Sequence, residues 1–242
     1  MTGSGRGIGA ATAELAASRG YAVCVNCLEQ SAHAEAVVTR IRENGGEAFL
    51  HPADVSVESH VIDLFAAVDR EYGNLSALVN NAGILGRVGP LATATIDDVR
   101  RVFDVNLMGT FLCSREAITR MSTRNGGEGG AIVNISSTAA TLGGAHQWLA
   151  YATSKGAINT FTLGLAREVA SEGIRVNAVC PGLIETESHA SAGLGDRLKE
   201  LAPSVPIQRP GKALEVAEAI MWLLSDQASY CVGANILVSG GR

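Results

Sequence analysis

Near its amino terminus the chain reads Thr2-Gly3-Ser4-Gly5-Arg6-Gly7-Ile8-Gly9, with four glycines in eight residues. An alanine-rich segment from Ala10 to Arg19 follows and ends at Gly20, which is the pattern of a helix closed by a glycine. Glycines at the start of a helix let backbone N–H groups approach a pyrophosphate at the positive end of the helix dipole. The loop therefore predicts a nucleotide site.

Downstream of this loop, short apolar runs alternate with helical patterns to the end of the chain. The run from Tyr21 to Cys27 is β-branched and apolar, as in a buried strand. Thr95, with Asp98 three residues later, resembles a capping box that opens one long helix to about Arg124. The alternation favours an α/β fold, in which helices cover both faces of a doubly wound parallel sheet. We expect residues 1–242 to form one domain.

After Pro181 the periodic pattern gives way to Ser, Gly, Ala and Pro until about Gly211. This stretch is too long for an ordinary connection between two elements. Residues 183–211 are therefore a candidate lid over the substrate.

Composition narrows the class of protein. The net charge of -5 and the pI near 5.6 do not fit a nucleic-acid partner. No apolar run approaches the ~20 residues of a membrane span, and no secretory signal is visible, so we expect a cytoplasmic protein without a membrane partner. Cys24 and Cys27 form a CxxC without a second Cys or His pair at ligand spacing, so no metal site is expected.

A second informative stretch is Tyr151-Ala152-Thr153-Ser154-Lys155. On a helix this spacing places the phenol and the ammonium on one face. A lysine charge beside a tyrosine favours the phenolate and lowers the phenol pKa toward the range of an acid/base catalyst. By itself, the pair also fits an exposed helical surface.

The glycine loop is similar to the TGxxxGxG fingerprint of the short-chain dehydrogenase/reductase family, with Gly3, Gly7 and Gly9 at its glycine positions. Other stretches of the chain resemble further family motifs in the same order. These are Asp54-Val55 for the adenine-contacting pair, Asn80-Asn81-Ala82-Gly83 for NNAG, Asn106 and Ser137 for the active-site asparagine and serine, Tyr151 with Lys155 for YxxxK, and Pro181-Gly182 with Thr186 for the nicotinamide segment.

The resemblance implies a Rossmann fold and an NAD(P)(H)-dependent oxidoreductase that interconverts a secondary alcohol and a ketone. Tyr151 would be the general acid/base, and Lys155 would lower its pKa and bind the nicotinamide ribose. Ser137 would hydrogen-bond the substrate oxygen, and Asn106 would hold a water that links Lys155 to solvent. The cofactor contacts it implies are Gly3, Ser4, Arg6, Gly7, Ile8, Gly9, Asp54, Val55, Asn81, Ala82, Gly83, Tyr151, Lys155, Pro181, Gly182, Ile184 and Thr186.

The preference for NAD or NADP depends on the charge near the end of the run from Tyr21 to Cys27, which corresponds to the second strand of the family's fold. Cys27 stands near the position where a carboxylate would bind the ribose of NAD. Arg6 resembles the basic residue of NADP-preferring members, whereas Glu29 is unfavourable for a 2'-phosphate. We expect NADP(H), with NAD(H) as the alternative.

Substrate identity is less defined. The segment from Ser137 to Tyr151, with His146, Gln147 and Trp148, should line the pocket together with the lid and its His189. The chain resembles glucose-dehydrogenase-like members. One alternative is a 3-oxoacyl-carrier-protein reductase, for which Arg100, Arg101 and Arg124 could form a docking surface or simply a solvated helix face. Another is a catalytically impaired nucleotide-binding protein on the same fold.

The resemblance also implies a homotetramer, or a homodimer. Contacts would run through the helices near 96–124 and 152–171 and through the last strand. Phe161 and Leu165 are apolar residues that could pack at such an interface.

One departure from the family concerns the amino terminus. A dinucleotide loop needs a strand before it, and here Met1 stands where the last residue of that strand would be. The first β-strand is therefore missing from this sequence, and we hypothesise that Met1 replaces a valine encoded upstream. We expect a gap or a distorted sheet beside the next strand.

Overall fold

The structure is a computed structural model that describes residues 1–186, 198 and 200–242. The helices with described bounds are α1 (Gly7–Ser18), α2 (Ala32–Glu43), α3 (Glu58–Tyr72), α4 (Ile96–Phe103), α5 (Gly109–Met121), α6 (Ala139–Leu142), α7 (Leu149–Val169) and α8 (Ala213–Leu224). The strands are β1 (Val23–Cys27), β2 (Ala48–Pro52), β3 (Ala77–Asn80), β4 (Gly130–Ile135), β5 (Ile174–Pro181), β6 (Ile184–Glu185), β7 (Gly211–Lys212) and β8 (Asn235–Val238).

The long helix expected from Thr95 to about Arg124 is interrupted. Its start is confirmed, because the Thr95 hydroxyl accepts a hydrogen bond from the N–H of Asp98 at 3.1 Å. Between α4 and α5, however, residues 104–108 form a turn of π-helix. A π-turn adds a residue to the helical spiral and is often found at functional sites. The expectation of one regular helix was wrong at this turn, which contains Asn106.

All strand pairs are parallel. The larger sheet has the order β3-β4-β5-β8, β1 pairs with β2, and β6 pairs with β7. Buried residues of α1, α2 and α8 form one apolar cluster, and those of α3, α5 and α7 form another with the sheet between them. The predicted doubly wound α/β arrangement is confirmed.

The sheet is split where the sequence predicted a gap. β1 and β3 are not paired with each other, and Met1 and Thr2 lie between them. The N–H of Asn26 on β1 donates to the carbonyl of Met1 at 3.3 Å, and the N–H of Thr2 donates to the carbonyl of Val79 on β3 at 3.0 Å. Two residues thus occupy the position of a central strand.

The two ends of the expected lid are tied together. Ile184 and Glu185 pair with Gly211 and Lys212, so the two ends of this stretch lie side by side. Residues 187–197 and 199, including His189, lie outside the described residues, and the lid stays a prediction. Over the part of the chain that is described, no helix has both the length and the apolar character needed to cross a membrane.

Candidate active site

The glycine loop is held in a conformation that requires glycine. Gly3 and Gly7 have φ of +59° and +57°, in the left-handed region that disfavours residues with a Cβ. At Gly9, a Cβ would lie 2.3 Å from the Gly3 carbonyl oxygen and 2.7 Å from Nδ2 of Asn81. The loop therefore folds back on the start of α1 with no space for a side chain.

Two buried or half-buried amides brace this loop from below. Asn26 accepts a hydrogen bond from the Gly3 N–H at 3.2 Å and donates to the carbonyl of Ala53 at 3.1 Å. Asn81 donates to the carbonyls of Thr2 and Gly3 at 3.0 and 2.8 Å. The loop is thus fixed to the ends of both β1 and β3, with its backbone N–H groups at the amino end of α1.

The loop opens into one cleft of about 980 Å³ at the carboxyl ends of the strands. The predicted site residues that line this cleft are Gly3, Arg6, Gly7, Ile8, Gly9, Asp54, Val55, Asn81, Ala82, Gly83, Ser137, Tyr151, Lys155, Pro181, Gly182, Ile184 and Thr186. Ser4 and Asn106 do not line it. Ser4 is fully buried, and its hydroxyl donates to the carbonyl of Met1 at 3.0 Å.

Ser137 and Tyr151 both line the cleft. Ser137 follows β4, and Tyr151 lies in the first turn of α7, so the sheet edge and the helix start bring the two hydroxyls together. Burial raises the pKa of the Tyr151 phenol, and a hydrogen bond with Ser137 opposes this shift. A phenol that keeps its proton beside a second hydroxyl can donate to one substrate oxygen.

Lys155 lies one helical turn after Tyr151 and is almost completely buried. Its Nζ donates to the carbonyl of Ile135 at 2.6 Å and lies 5.7 Å from the centroid of the Tyr151 ring. Burial lowers the pKa of this ammonium to about 8. Burial outweighs the effect of Ser137 at the Tyr151 phenol, and the expectation that Lys155 lowers the pKa of Tyr151 stays a prediction.

Asn106 lies behind the cleft, in the π-turn. Its Oδ1 accepts from the N–H of Ile84 at 2.8 Å, and its Nδ2 donates to the Ser154 hydroxyl at 3.0 Å. A Cβ on Gly83 would lie 3.3 Å from Oδ1 of Asn106 and 3.5 Å from Nζ of Lys155. The amide therefore positions the segment after β3 against the helix that carries Tyr151 and Lys155.

At the opposite end of the cleft, Asp54 is held by three donors. Its Oδ1 accepts from the N–H and the hydroxyl of Ser56 at 2.9 and 2.6 Å, and its Oδ2 accepts from Arg101 at 3.0 Å. Burial acts to raise the pKa of this carboxyl, but the hydrogen bonds from Ser56 and the charge of Arg101 outweigh it and lower the pKa. Arg101 itself lines the cleft.

Because Arg101 lines the cleft, replacing it by Ala should weaken binding of the expected cofactor, NADPH, by ~5-fold, which corresponds to the ~1 kcal/mol of one partly exposed charged contact. The matched control is Arg100→Ala, because Arg100 is the neighbouring arginine on α4 and pairs with Asp97 outside the cleft. Fluorescence titration gives both dissociation constants. If the two substitutions change the dissociation constant equally, Arg101 is not part of the cofactor site.

The buried Lys155 makes stability depend on pH. Between its folded pKa of about 8 and its ordinary value of 10.5, the unfolded chain holds a proton that the folded chain has lost, so the free energy of unfolding should rise with pH in that window. From pH 8 to 9.5, wild type should gain up to ~2 kcal/mol relative to Lys155→Met. Urea unfolding at several pH values measures this. Lys212→Met, which removes an exposed lysine, should leave the wild-type slope unchanged; parallel curves for wild type and Lys155→Met would contradict the assignment.

Sequence reasoning missed several residues that shape the site. Asn26 is a polar residue inside an apolar strand, and this contrast could have indicated a structural role for its side chain. Thr2, whose hydroxyl accepts from the N–H groups of Asn81 and Ala82 at 3.0 and 3.1 Å, gave no such signal. Gln147 and Trp148 line the cleft as expected, whereas His146 is exposed and does not line it.

Known proteins resemble the chain over its whole length. A family model described as enoyl-(acyl carrier protein) reductase matches residues 3–242. The uncharacterized oxidoreductase YgfF of Escherichia coli (strain K12) is 50% identical over 242 residues, which cover 100% of this chain and 98% of the relative. Glucose 1-dehydrogenase 2 of Bacillus subtilis (strain 168) is 37% identical over 247 residues, covering 100% and 92%.

A solved structure shows the same fold. It is a crystal structure from Agrobacterium tumefaciens, described as that of a "putative gluconate dehydrogenase". It superposes with a TM-score of 0.90 at 33% sequence identity and covers 99% of this chain and 93% of that one. The parallel sheet and its helices are therefore those of a Rossmann-type dehydrogenase.

Proposed function

The chain belongs to the short-chain dehydrogenase/reductase family of oxidoreductases, and from this premise we propose that it interconverts a secondary alcohol and a ketone with NADP(H). The observation that carries the proposal is that Ser137 and Tyr151 line the same cleft as the glycine loop, with Lys155 one helical turn from Tyr151. A proton donor and a dinucleotide cradle in one cleft are what such a reaction needs.

The cleft fits a dinucleotide. Gly3 and Gly7 have positive φ, and a Cβ at Gly3 or Gly9 would overlap neighbouring protein atoms, so only a glycine loop can fold this tightly and present the amino end of α1 to a pyrophosphate. Asp54 and Val55 would hold the adenine end, and Pro181, Gly182, Ile184 and Thr186 the nicotinamide end. When bound, the nicotinamide supplies or accepts the hydride.

The protein residues supply the proton and the orientation. In ketone reduction, Tyr151 donates its phenolic proton to the substrate oxygen, and Ser137 donates a hydrogen bond to the same oxygen. In alcohol oxidation the proton returns to Tyr151, and the hydrogen bond from Ser137 stabilises the phenolate. Lys155 places a positive charge beside this site and would bind the nicotinamide ribose.

Charges at the end of β1 favour NADP(H). Cys27 occupies the strand end, and Arg6 and His33 line the cleft near the amino end of α2. The charge of Arg6 and the amino terminus of α2 attract a 2'-phosphate, while Glu29 opposes it. NAD(H) remains the alternative cofactor.

Cofactor preference is tested by kcat/KM with NADPH and NADH. Arg6→Ala should lower the ratio of the two values by ~10-fold, as expected for the loss of one charge-assisted contact. Arg70→Ala removes an exposed arginine on α3 outside the cleft and should leave the ratio unchanged. An unchanged ratio in Arg6→Ala would contradict the role of Arg6.

The substrate end of the cleft has an apolar wall that includes Leu142, Trp148 and Leu201. A reductase of carrier-bound substrates would need a basic surface on which the carrier protein docks. The three arginines that could form this surface do not support it. Arg100 pairs with Asp97, Arg101 with Asp54 and Arg124 with Glu172, so each charge already has an acidic partner. We therefore favour a small alcohol or ketone that is not carrier-bound.

Assembly into a homotetramer or homodimer is supported by exposed apolar side chains. Phe111 on α5 is 44% exposed and packs against Phe161 of α7, with 4.2 Å between ring centroids and 41° between the ring planes. Leu237 on the edge strand β8 is 63% exposed. Leu165, which the sequence suggested for an interface, is buried in the protomer core and cannot serve there. The cytoplasmic location stays a prediction from the sequence.

The reaction is tested by an absorbance screen of NADPH and NADH turnover over sugars, hydroxy acids, cyclic alcohols and their ketones. We expect turnover with at least one secondary alcohol or ketone. Tight binding of NADPH without turnover on the whole panel would favour the nucleotide-binding alternative.

A further inference from the structure

The segment that carries Arg242 is fixed against the nicotinamide end of the cleft. The N–H of Gly182 donates to the carbonyl of Val238 at 3.0 Å, and a Cβ on Gly182 would lie 2.8 Å from Cα of Ser239. Pro181 and Gly182 are the residues that we propose to hold the nicotinamide. The strand β8 therefore ends beside the place where the hydride would be transferred.

Two glycines turn the segment after β8 toward the cleft. Gly240 and Gly241 have φ of +64° and +93°, in the left-handed region that favours glycine. The N–H of Arg242 donates back to the carbonyl of Ser239 at 3.3 Å, and the carbonyl of Gly240 accepts from the N–H of Ile207 at 3.2 Å. The turn is thus tied to the segment before β7, and after it Arg242 lines the cleft.

Arg242 brings a positive charge that no acidic side chain of this region balances. It is exposed, and none of the ion pairs among the described residues includes it. The acidic side chains among the described lining residues are Glu29 and Asp54, which follow β1 and β2 at the adenine end of the cleft. The field at the substrate end therefore favours a negatively charged substrate group.

A carboxylate matches this guanidinium better than a phosphate does. Arginine donates two parallel hydrogen bonds to the two oxygens of a planar carboxylate. Of the described lysines and arginines that line the cleft, Arg6 and Lys155 are assigned to the cofactor. Arg101 pairs with Asp54, so Arg242 is the one that remains for the substrate. One positive charge balances one carboxylate, whereas a phosphate monoester carries about two negative charges at pH 7.

We propose that the substrate is a hydroxy acid or the corresponding oxo acid, and that Arg242 binds its carboxylate. The carbinol or carbonyl oxygen lies at Ser137 and Tyr151, and the hydrocarbon body contacts the apolar wall that includes Leu142 and Trp148. In reduction, the carbonyl group gains one hydride from the reduced cofactor and one proton from Tyr151, and the carboxylate is unchanged. This inference rests on the proposed reaction and names the substrate class of the same site.

Binding is tested with the oxidised cofactor NADP⁺ and two matched pairs of ligands. These are 3-oxocyclohexanecarboxylate with its carboxamide, and 5-oxohexanoate with its methyl ester. NADP⁺ has no hydride to give to a ketone, so calorimetric titration measures the dissociation constants without turnover. For at least one pair, wild type should bind the acid at least ~10-fold more tightly than the neutral partner, as expected for hydrogen bonds between charged groups.

Substitutions of Arg242 separate its charge from its geometry. Arg242→Gln should reduce the preference for the acid to less than ~2-fold, because the charge is lost. Arg242→Lys, which keeps the charge but not the two parallel donors, should give an intermediate preference. Arg167→Gln removes an exposed arginine on α7 outside the cleft and should keep the wild-type preference. With NADPH, the ratio of kcat/KM for the acid and its neutral partner should follow the same order.

Three outcomes would overturn the assignment of a carboxylate to Arg242. In the first, wild type binds the acids no more tightly than their neutral partners. In the second, Arg242→Gln and Arg167→Gln change the preference equally. In the third, 5-oxohexyl phosphate binds more tightly than 5-oxohexanoate, which would make the substrate a phosphate ester.

The two readouts also distinguish this inference from the proposed reaction. Binding of an acid that depends on Arg242, without turnover of any ketone or alcohol, would contradict the reaction and support the acid site. Turnover of neutral ketones without a preference for the acids would support the reaction and contradict the acid site.

Discussion

Tyr151→Phe should lower kcat by ~10²- to 10⁴-fold, the range lost when a general acid/base is removed. The substitution deletes only the phenolic hydroxyl, and the ring that lines the cleft remains. The dissociation constant for NADPH should therefore change by less than ~2-fold. Steady-state kinetics and a fluorescence titration on the same preparation separate the two effects.

Tyr230→Phe is the matched control for this substitution. Tyr230 is fully exposed and does not line the cleft, so loss of its hydroxyl should leave kcat unchanged. A near-normal kcat for Tyr151→Phe would refute the assignment of Tyr151 as the proton donor.

Gly9→Ala should weaken NADPH binding by ~100-fold. The new Cβ would lie 2.3 Å from the Gly3 carbonyl oxygen and 2.7 Å from both Nδ2 of Asn81 and Cα of Ser4, so the loop must move. Overpacking of this kind costs 1–3 kcal/mol, and the upper figure corresponds to about that loss of affinity. The effect should appear in the dissociation constant, measured on protein shown to be folded by circular dichroism.

Gly164→Ala controls for the gain of a methyl group. Gly164 lies in α7, and a Cβ there would meet nothing within 4 Å. Because alanine favours a helix over glycine by ~1 kcal/mol, this variant should be slightly more stable and should bind NADPH normally. If Gly9→Ala binds NADPH within ~3-fold of wild type, the loop is not the pyrophosphate cradle.

Much of the fold was predictable because it follows from local patterns. The alternation of strands and helices, the cap at Thr95 and the glycine loop are properties of neighbouring residues. The gap beside β1 was also predictable, since a glycine loop without a preceding strand leaves a central position unfilled. The break at residues 104–108 was not, because the hydrogen bonds of Asn106 that accompany the π-turn go to Ile84 and Ser154.

The candidate site, too, was predictable in part from the sequence and in part only from the fold. The spacing of Tyr151 and Lys155 indicated one helix face, the resemblance to the family added Ser137, and the structure brings all three to one cleft. The sequence suggested Arg101 as part of a surface patch, whereas the fold turns it toward Asp54. That pairing joins residues 47 positions apart, which no local pattern reveals.

The sequence by itself therefore determined which groups can do chemistry: the glycines that admit a pyrophosphate, the phenol and the ammonium. The tertiary structure decided their state. It raised the pKa of Tyr151, lowered that of Lys155 to about 8, and placed Asn26 and Thr2 under the loop. The physical reason is that spacing along a chain is local, whereas desolvation and long-range hydrogen bonds depend on which segments the fold packs within a few ångströms of one another.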